Sequence, residues 1–283
     1  MKVVLFCGGA GMRLRGYADD VPKPMVTIGS RPLLWHLMKY YAHWGYKDFI
    51  LCLGYKGNVI KDYFLHYDEA VSNDFVWSAG GRKVEFLNRD LDDWRITFVE
   101  TGSNATIAER LKAVEPHLRN EELFLANYSD GLTDLPLPNL IENFRRSGAM
   151  ASMVLVQPTA SFDLVSVDAA GRVDGISAIS QSDFWINGGY FILRREVLDY
   201  IRPGEELVRQ PFERLIAQQA LMGYKYHGFW MCMDTFKDKQ RLEELESKGN
   251  PPWQVWRKDA VNGAAGAALL ADPSWAEVPV GQA

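Results

Sequence analysis

Short apolar runs alternate with amphipathic stretches along most of this chain, and that alternation constrains the fold more than any other feature. KVVLFCG, DFILCLGY, RITFVET, ELFLANYSD and MASMVLVQ are short, rich in Val, Ile, Leu and Phe, and bounded by turn-forming or polar residues, the pattern of buried strands. Between them, PLLWHLMKYYAHWG repeats apolar residues at Leu33, Leu34, Leu37, Met38 and Tyr41. That is helical spacing, and Ser30 is its expected N-cap. NVIKDYFLHY, ATIAERLKAVEPHL and LPNLIENFRRSG follow the same rule. Strand–helix–strand alternation predicts an α/β fold with a mostly parallel sheet covered by helices on both faces. Ligands in such sheets bind beyond the carboxyl ends of the strands.

Two segments interrupt the alternation. FVWSAGGRKVEFLN, turning at Gly80-Gly81, and SFDLVSVDAAGRVDGISAI, turning at Ala170-Gly171, read as inserted β-hairpins. Residues 1–258 form one expected domain. The remaining 259–283 carry few charges and no clear period, and read as a tail, mobile or laid against a neighbouring subunit.

Bulk properties narrow the function. A net charge of -5 over 283 residues argues against a nucleic-acid binder. No apolar run approaches a membrane span, and the N-terminus lacks the order of a signal peptide. Cys7, Cys52 and Cys232 are odd in number and embedded in apolar stretches, as expected of buried free thiols in a reducing compartment. The expected location is the cytoplasm. No spacing of Cys and His suggests zinc, and neither a histidine-based triad nor G-x-S-x-G is present.

The first strand runs directly into GGAGMRL. Glycines there let the backbone turn sharply and be approached closely. Amides freed by the turn suit a phosphate, and Arg13 adds a planar fork of donors. A Rossmann fingerprint fails because Leu14 stands where a third glycine is required, and a P-loop fails at Met12-Arg13. Lys23, in VPKP, is presented from a backbone stiffened by prolines on both sides; a solvated surface lysine is the alternative. Asp130 follows a core strand, where a carboxylate either holds a hard cation such as Mg²⁺ or caps its own turn. Asp234 repeats the arrangement after YHGFWMCM and also stands where a helix N-cap would.

GGAGMRL, then VPKPMVTIG, then PLLWHLMKYY, resembles the signature of the sugar-1-phosphate nucleotidyltransferases. DFILCLGYKGNVIKDYF, YSDG, WINGGYF and GFWMCMDTFKDK look like the glucose-1-phosphate cytidylyltransferase branch. The similarity runs from Met1 to about Trp256. It implies a Rossmann-like fold of the nucleotide-diphospho-sugar transferase type and a reaction joining an NTP to a sugar 1-phosphate with release of pyrophosphate. By position, Gly8, Gly9, Ala10, Gly11, Met12 and Arg13 would cradle the nucleotide, with Arg13 steadying the departing pyrophosphate. Lys23 would neutralise phosphate charge. Asp130 and Asp234 would hold Mg²⁺, with Ser129 beside it, and Ala105 and Arg110 would face the nucleotide. Asn187 and Gly188 of the NGG motif would meet the sugar. A homo-oligomer is also expected.

The chain departs from that family on the acceptor side. Where the family has Glu-Lys-Pro before its NGG, this chain has SAISQSDFWINGG, without lysine or arginine from Ser177 to Gly189. Phe162-Asp163 replaces an aromatic–glycine pair, and Ala108-Glu109-Arg110 replaces Gly-Gly-Arg. The expected enzyme therefore takes CTP and an acceptor other than plain glucose 1-phosphate, the missing charge coming from Arg194, Arg195, Arg209 or a neighbouring subunit; Arg209, in EELVRQPFERL, is the favoured candidate, with a solvated loop residue as its alternative. A non-catalytic nucleotide-sugar sensor on the same fold, or a glycosyltransferase on a related sheet, are the competing functions.

Overall fold

The computed structural model describes residues 1–9, 21–91, 93–158, 163–179 and 182–257. Its centre is a seven-stranded sheet in the order Leu221–Tyr226, Ala151–Val156, Ile186–Arg194, Leu123–Asn127, Val3–Phe6, Asp48–Leu53, Arg95–Glu100. Val3–Phe6 pairs in parallel with Asp48–Leu53 on one side and Leu123–Asn127 on the other. It is fully buried, which explains why its sequence is continuously apolar rather than alternating. The chain builds outward from this strand in one direction, then returns to add strands on its other side. That reversal marks the crevice where such sheets take ligands. Ile186–Arg194 runs antiparallel to both neighbours, so the sheet is mixed with a mainly parallel core.

Helices cover both faces. Leu33–His43, Leu137–Ser147 and Phe236–Ser247 contribute Leu37, Phe144 and Leu242 to one apolar layer. Ile107–Val114 and Gln210–Ala217 contribute Leu111, Phe212 and Leu215 to the other. Both expected hairpins form, Phe75–Ser78 with Lys83–Phe86 and Asp163–Val167 with Val173–Ala178. The tail at 259–283 lies outside the described residues, as do Ala10, Gly11, Met12, Arg13 and Phe162.

One cap assignment is corrected, and one capping alternative falls away. Helix Leu33–His43 starts after Pro32, not at Ser30. Arg31-Pro32 pairs with Thr27-Ile28 as a short antiparallel ladder, so the backbone is still extended three residues past Gly29. Helix Phe236–Ser247 is capped by Thr235, whose side chain accepts from the Asp238 amide while Asp238 accepts from the Thr235 amide. Asp234 is therefore not the cap, and its carboxylate points elsewhere.

Candidate active site

The turn after strand Leu123–Asn127 is held from below. Asn127 is buried, takes the Ser129 amide on its side-chain oxygen at 2.7 Å and donates to the Tyr41 hydroxyl at 3.3 Å. This fixes Ser129 at φ 63°, a left-handed conformation that a serine adopts only when its surroundings impose it. The hydroxyl of Ser129 is fully buried and takes the Cys7 thiol at 3.6 Å. Burial pushes that thiol up to about 12, so Cys7 is an inert packing residue. Cys52 is buried too, whereas Cys232 is only half-buried. With the Ser129 side chain turned inward, the Asp130 carboxylate that follows is left to meet Lys23.

Asp130 and Asp234 are brought together by strand register. Gly131–Thr133 pairs antiparallel with Trp230–Cys232, Gly131 opposite Cys232, and the ladder extends through the Met233 amide to the Asp130 carbonyl at 2.8 Å. Each aspartate thus sits at the same end of this two-stranded ladder. Between them lies Lys23, whose Nζ donates to Asp130 Oδ2 at 2.9 Å and to Asp234 Oδ1 at 2.5 Å. Lys23 opens a single tight turn, Lys23–Met25, closed by Met25 N–H to the Pro22 carbonyl.

Burial raises the Asp130 carboxyl above its ordinary range, Lys23 opposes the shift, and the neighbouring Asp234 charge adds to it. Burial alone would lower the Lys23 ammonium, but the two carboxylates outweigh it and hold it above its usual value. The site is an anionic pair with a cation seated in it. Among the described residues no group of three or more His, Cys, Asp or Glu could hold a metal. Two converging carboxylates are nonetheless the protein share that Mg²⁺ uses when substrate phosphates complete its oxygen shell. The donor set fits that ion.

The glycine turn has a floor. Gly8 follows Val3–Phe6, and a Cβ there would lie 2.0 Å from Arg110 Nη1, so any larger residue would have to displace the guanidinium from its seat. Arg110 is 3% exposed. Its guanidinium donates to Thr101 Oγ1 at 2.7 Å and the Leu53 carbonyl at 3.3 Å. It therefore lies beneath Gly8 and ties three strand ends together, with its charge one layer under the turn. Ala105 is half-buried before helix Ile107–Val114. That helix is capped by Thr106 and Glu109, which gives Glu109 of the departed Gly-Gly-Arg a structural task.

In the NGG motif, Asn187 is half-buried and donates to the Tyr128 hydroxyl at 3.1 Å. Gly188 is buried and its carbonyl accepts from Trp230 Nε1 at 2.8 Å. Gly189 has φ +76°, and a Cβ on it would meet the Tyr128 ring at 2.8 Å. The NGG motif thus packs tightly against Tyr128 and Trp230. Tyr128 and Trp230 lie inside the quoted motifs YSDG and GFWMCMDTFKDK without being assigned a role there, and the only signal for Asn127 is its position just before YSDG. Arg209 is exposed at the N-terminus of helix Gln210–Ala217. Its loop reaches the carboxyl edge, where the Glu205 carbonyl accepts from Thr106 Oγ1 at 2.8 Å. Arg194 pairs with Glu122 at 3.0 Å, at the opposite edge from Asp130.

At the carboxyl edge of a mainly parallel sheet the structure thus gathers Gly8 above a buried arginine, and two carboxylates around a lysine. The chain belongs to the nucleotidyl transferase family, whose model matches residues 2–236, and it is a nucleotidyltransferase enzyme. It is 38% identical over 258 residues to the glucose-1-phosphate cytidylyltransferase of Salmonella typhi, covering 90% of this chain and 100% of that one. A probable glucose-1-phosphate cytidylyltransferase of Bacillus subtilis is 36% identical over the same coverage. Among solved structures, a UDP-glucose pyrophosphorylase complexed with UDP-glucose superposes with TM-score 0.65 at 13% identity, over 88% of this chain and 98% of that one; this likeness shows the fold. No helix among the described residues is long and apolar enough to cross a membrane.

Proposed function

We propose that this enzyme transfers a cytidylyl group from CTP to a sugar 1-phosphate and releases pyrophosphate. The observation that carries the proposal is Lys23 seated between Asp130 and Asp234 at the carboxyl edge of the sheet. A sensor needs to bind a nucleotide but has no need of two carboxylates at a cation, so this geometry favours turnover. The likeness to cytidylyltransferases of Salmonella typhi and Bacillus subtilis supports CTP as the donor.

In this reading Asp130 and Asp234 hold Mg²⁺, which would supply charge neutralisation to the NTP phosphates. The segment from Gly8 to Arg13 cradles the nucleotide, Arg110 braces Gly8 from below, and Ala105 faces the nucleotide. Lys23 offers its ammonium to the phosphates on which charge builds. A phosphate oxygen of the acceptor attacks the α-phosphorus in line, and pyrophosphate leaves. Nucleotidyl transfer is dominated by positioning and electrostatics, so no protein nucleophile is required.

Asn187, Gly188 and Arg209 belong to the acceptor side. A phosphate dianion taken out of water needs cationic partners, and 177–189 contains none; this supports an acceptor unlike plain glucose 1-phosphate. Self-association is part of the same reading. Val165 pairs with Ile176 and Val167 with Val173, putting four apolar side chains, 53–69% exposed, on one hairpin face. A second copy would cover such a surface.

The test is pyrophosphate release across four NTPs and a panel of sugar phosphates. The expected result is release dependent on both Mg²⁺ and a sugar 1-phosphate, with CTP the best donor. Nucleotide binding without release in every combination would favour the sensor. Arg209→Ala is expected to raise the acceptor KM about tenfold, as loss of one charge-assisted hydrogen bond would, and to leave the CTP KM alone. An unchanged acceptor KM would make Arg209 a solvated helix-end residue.

A further inference from the structure

The outermost strand of the sheet carries a second cation toward the acceptor side. Strand Ala151–Val156 is flanked by Ile186–Arg194 and Leu221–Tyr226, and Leu155 is in register with Asn187 on one side and Lys225 on the other. Residues paired directly across strands share a face, so Asn187, Leu155 and Lys225 form a row along the carboxyl end of the central strands. Neighbouring strands lie ~4.8 Å apart, which puts Lys225 roughly 10 Å from Asn187 along this row.

The Lys225 ammonium is not loose. It sits 5.0 Å from the centroid of the Trp185 ring, and Trp185 in turn meets the His227 ring edge-on at 5.0 Å. Trp185 lies two residues before Asn187, inside the stretch that has no cation of its own. The same sheet face is covered by helix Gln210–Ala217, where Phe212 packs on Phe191 and Phe191 on Tyr128; Arg209 stands at that helix's N-terminus. Most lysines near the sheet are matched to carboxylates: Lys39 to Asp90, Lys61 to Glu100, Lys112 to Glu115. Among the described residues Lys225 has an aromatic partner and no carboxylate, so its charge is held in place without being neutralised.

We propose that Lys225, steadied by Trp185, is a phosphate-binding residue of the acceptor subsite and takes the phosphate of the sugar 1-phosphate together with Arg209. This inference rests on the nucleotidyltransferase reading above. Lys225 replaces, from the sheet's edge strand, a charge that 177–189 does not supply. Trp185 is a positioning residue: it orders the ammonium and does not itself touch phosphate.

Steady-state kinetics and calorimetric titration with glucose 1-phosphate, and with the best acceptor of the panel, test this. Lys225→Ala is expected to raise the acceptor KM and Kd about tenfold, with the CTP KM and the melting temperature unchanged, and Lys225→Arg to restore most of the loss. Trp185→Leu should shift the acceptor KM in the same direction with kcat preserved, and Trp185→Phe should rescue it. An acceptor KM within twofold of wild type in Lys225→Ala, or an equal rise in the CTP KM, would overturn the assignment while leaving the enzyme's activity intact. Absence of pyrophosphate release by the wild type with every pair would instead overturn the nucleotidyltransferase reading, and this inference with it.

Discussion

Asp130→Asn and Asp234→Asn are each expected to lower kcat by about a thousandfold or more while the protein stays folded. Removing a metal carboxylate costs several kcal/mol of transition-state stabilisation, and about 4 kcal/mol corresponds to three decades in rate. Stability should move differently from activity. The folded environment raises the Asp130 pKa, so the ionised carboxylate is less stable in the fold than in the unfolded chain at neutral pH. That penalty is fully present above the folded pKa and disappears as pH falls through it. An amide of the same shape carries no such penalty, and Lys23 keeps its contact with Asp234. Metal-free Asp130→Asn is therefore expected to melt at or slightly above the wild type in EDTA, and to lose most of the stabilisation that Mg²⁺ and CTP give the wild type. Calorimetric melting with and without Mg²⁺, run beside pyrophosphate release, checks both halves. Wild-type turnover at saturating Mg²⁺ in either variant would remove that residue from the metal site.

Much of this geometry was legible because the chemistry is concentrated at strand ends. Val3–Phe6 and Leu123–Asn127 are apolar runs stopped by Gly8 and by the polar Ser129 and Asp130, so strand assignment alone aims both turns at one edge. The pairing of Asp130 with Asp234 was less accessible. It depends on the three-residue strands Gly131–Thr133 and Trp230–Cys232 meeting in one register, and strands that short leave no readable period. Local backbone chemistry misled at Ser30, where a long-range ladder between Thr27-Ile28 and Arg31-Pro32 overrides a good capping residue. At Asp234 the opposite holds. The spacing of Thr235 and Asp238 was a local capping signal, and it releases Asp234 for the site.

Arg110 shows a further limit. A resemblance places it beside the nucleotide, but only coordinates show that its guanidinium braces Gly8, Leu53 and Thr101 from below. A buried arginine reads in sequence as one more surface charge. Gly188 and Gly189 are similar: their reason lies in Trp230 and Tyr128, which come from other strands.

Lys23→Ala should uncouple the two tasks that Lys23 performs. Its side chain is 13% exposed and its ammonium meets the carboxylates of aspartate side chains that are 32% and 34% exposed. Deleting it leaves two like charges adjacent without their cation, at a cost on the order of 2 kcal/mol once partial solvent screening is allowed for. The metal-free variant is therefore expected to melt several degrees below the wild type, and Mg²⁺ should raise its melting temperature by more than it raises the wild type's, because the ammonium no longer competes with the metal for the two carboxylates. In catalysis the loss has a different signature. Negative charge on the phosphates redistributes most as the α-phosphorus is attacked, so a cation delivered there stabilises the transition state more than the ground state. kcat should fall about a hundredfold, with a smaller change in the CTP KM. Lys23→Arg is expected to rescue folding stability but little of kcat, since a planar fork held between Pro22 and Pro24 cannot take the place of a compact ammonium that moves from carboxylate to phosphate. A variant that keeps wild-type kcat and only weakens CTP binding would reduce Lys23 to a binding residue. One whose melting temperature responds to Mg²⁺ no more than the wild type's would show that Lys23 does not hold the carboxylate pair in the resting enzyme.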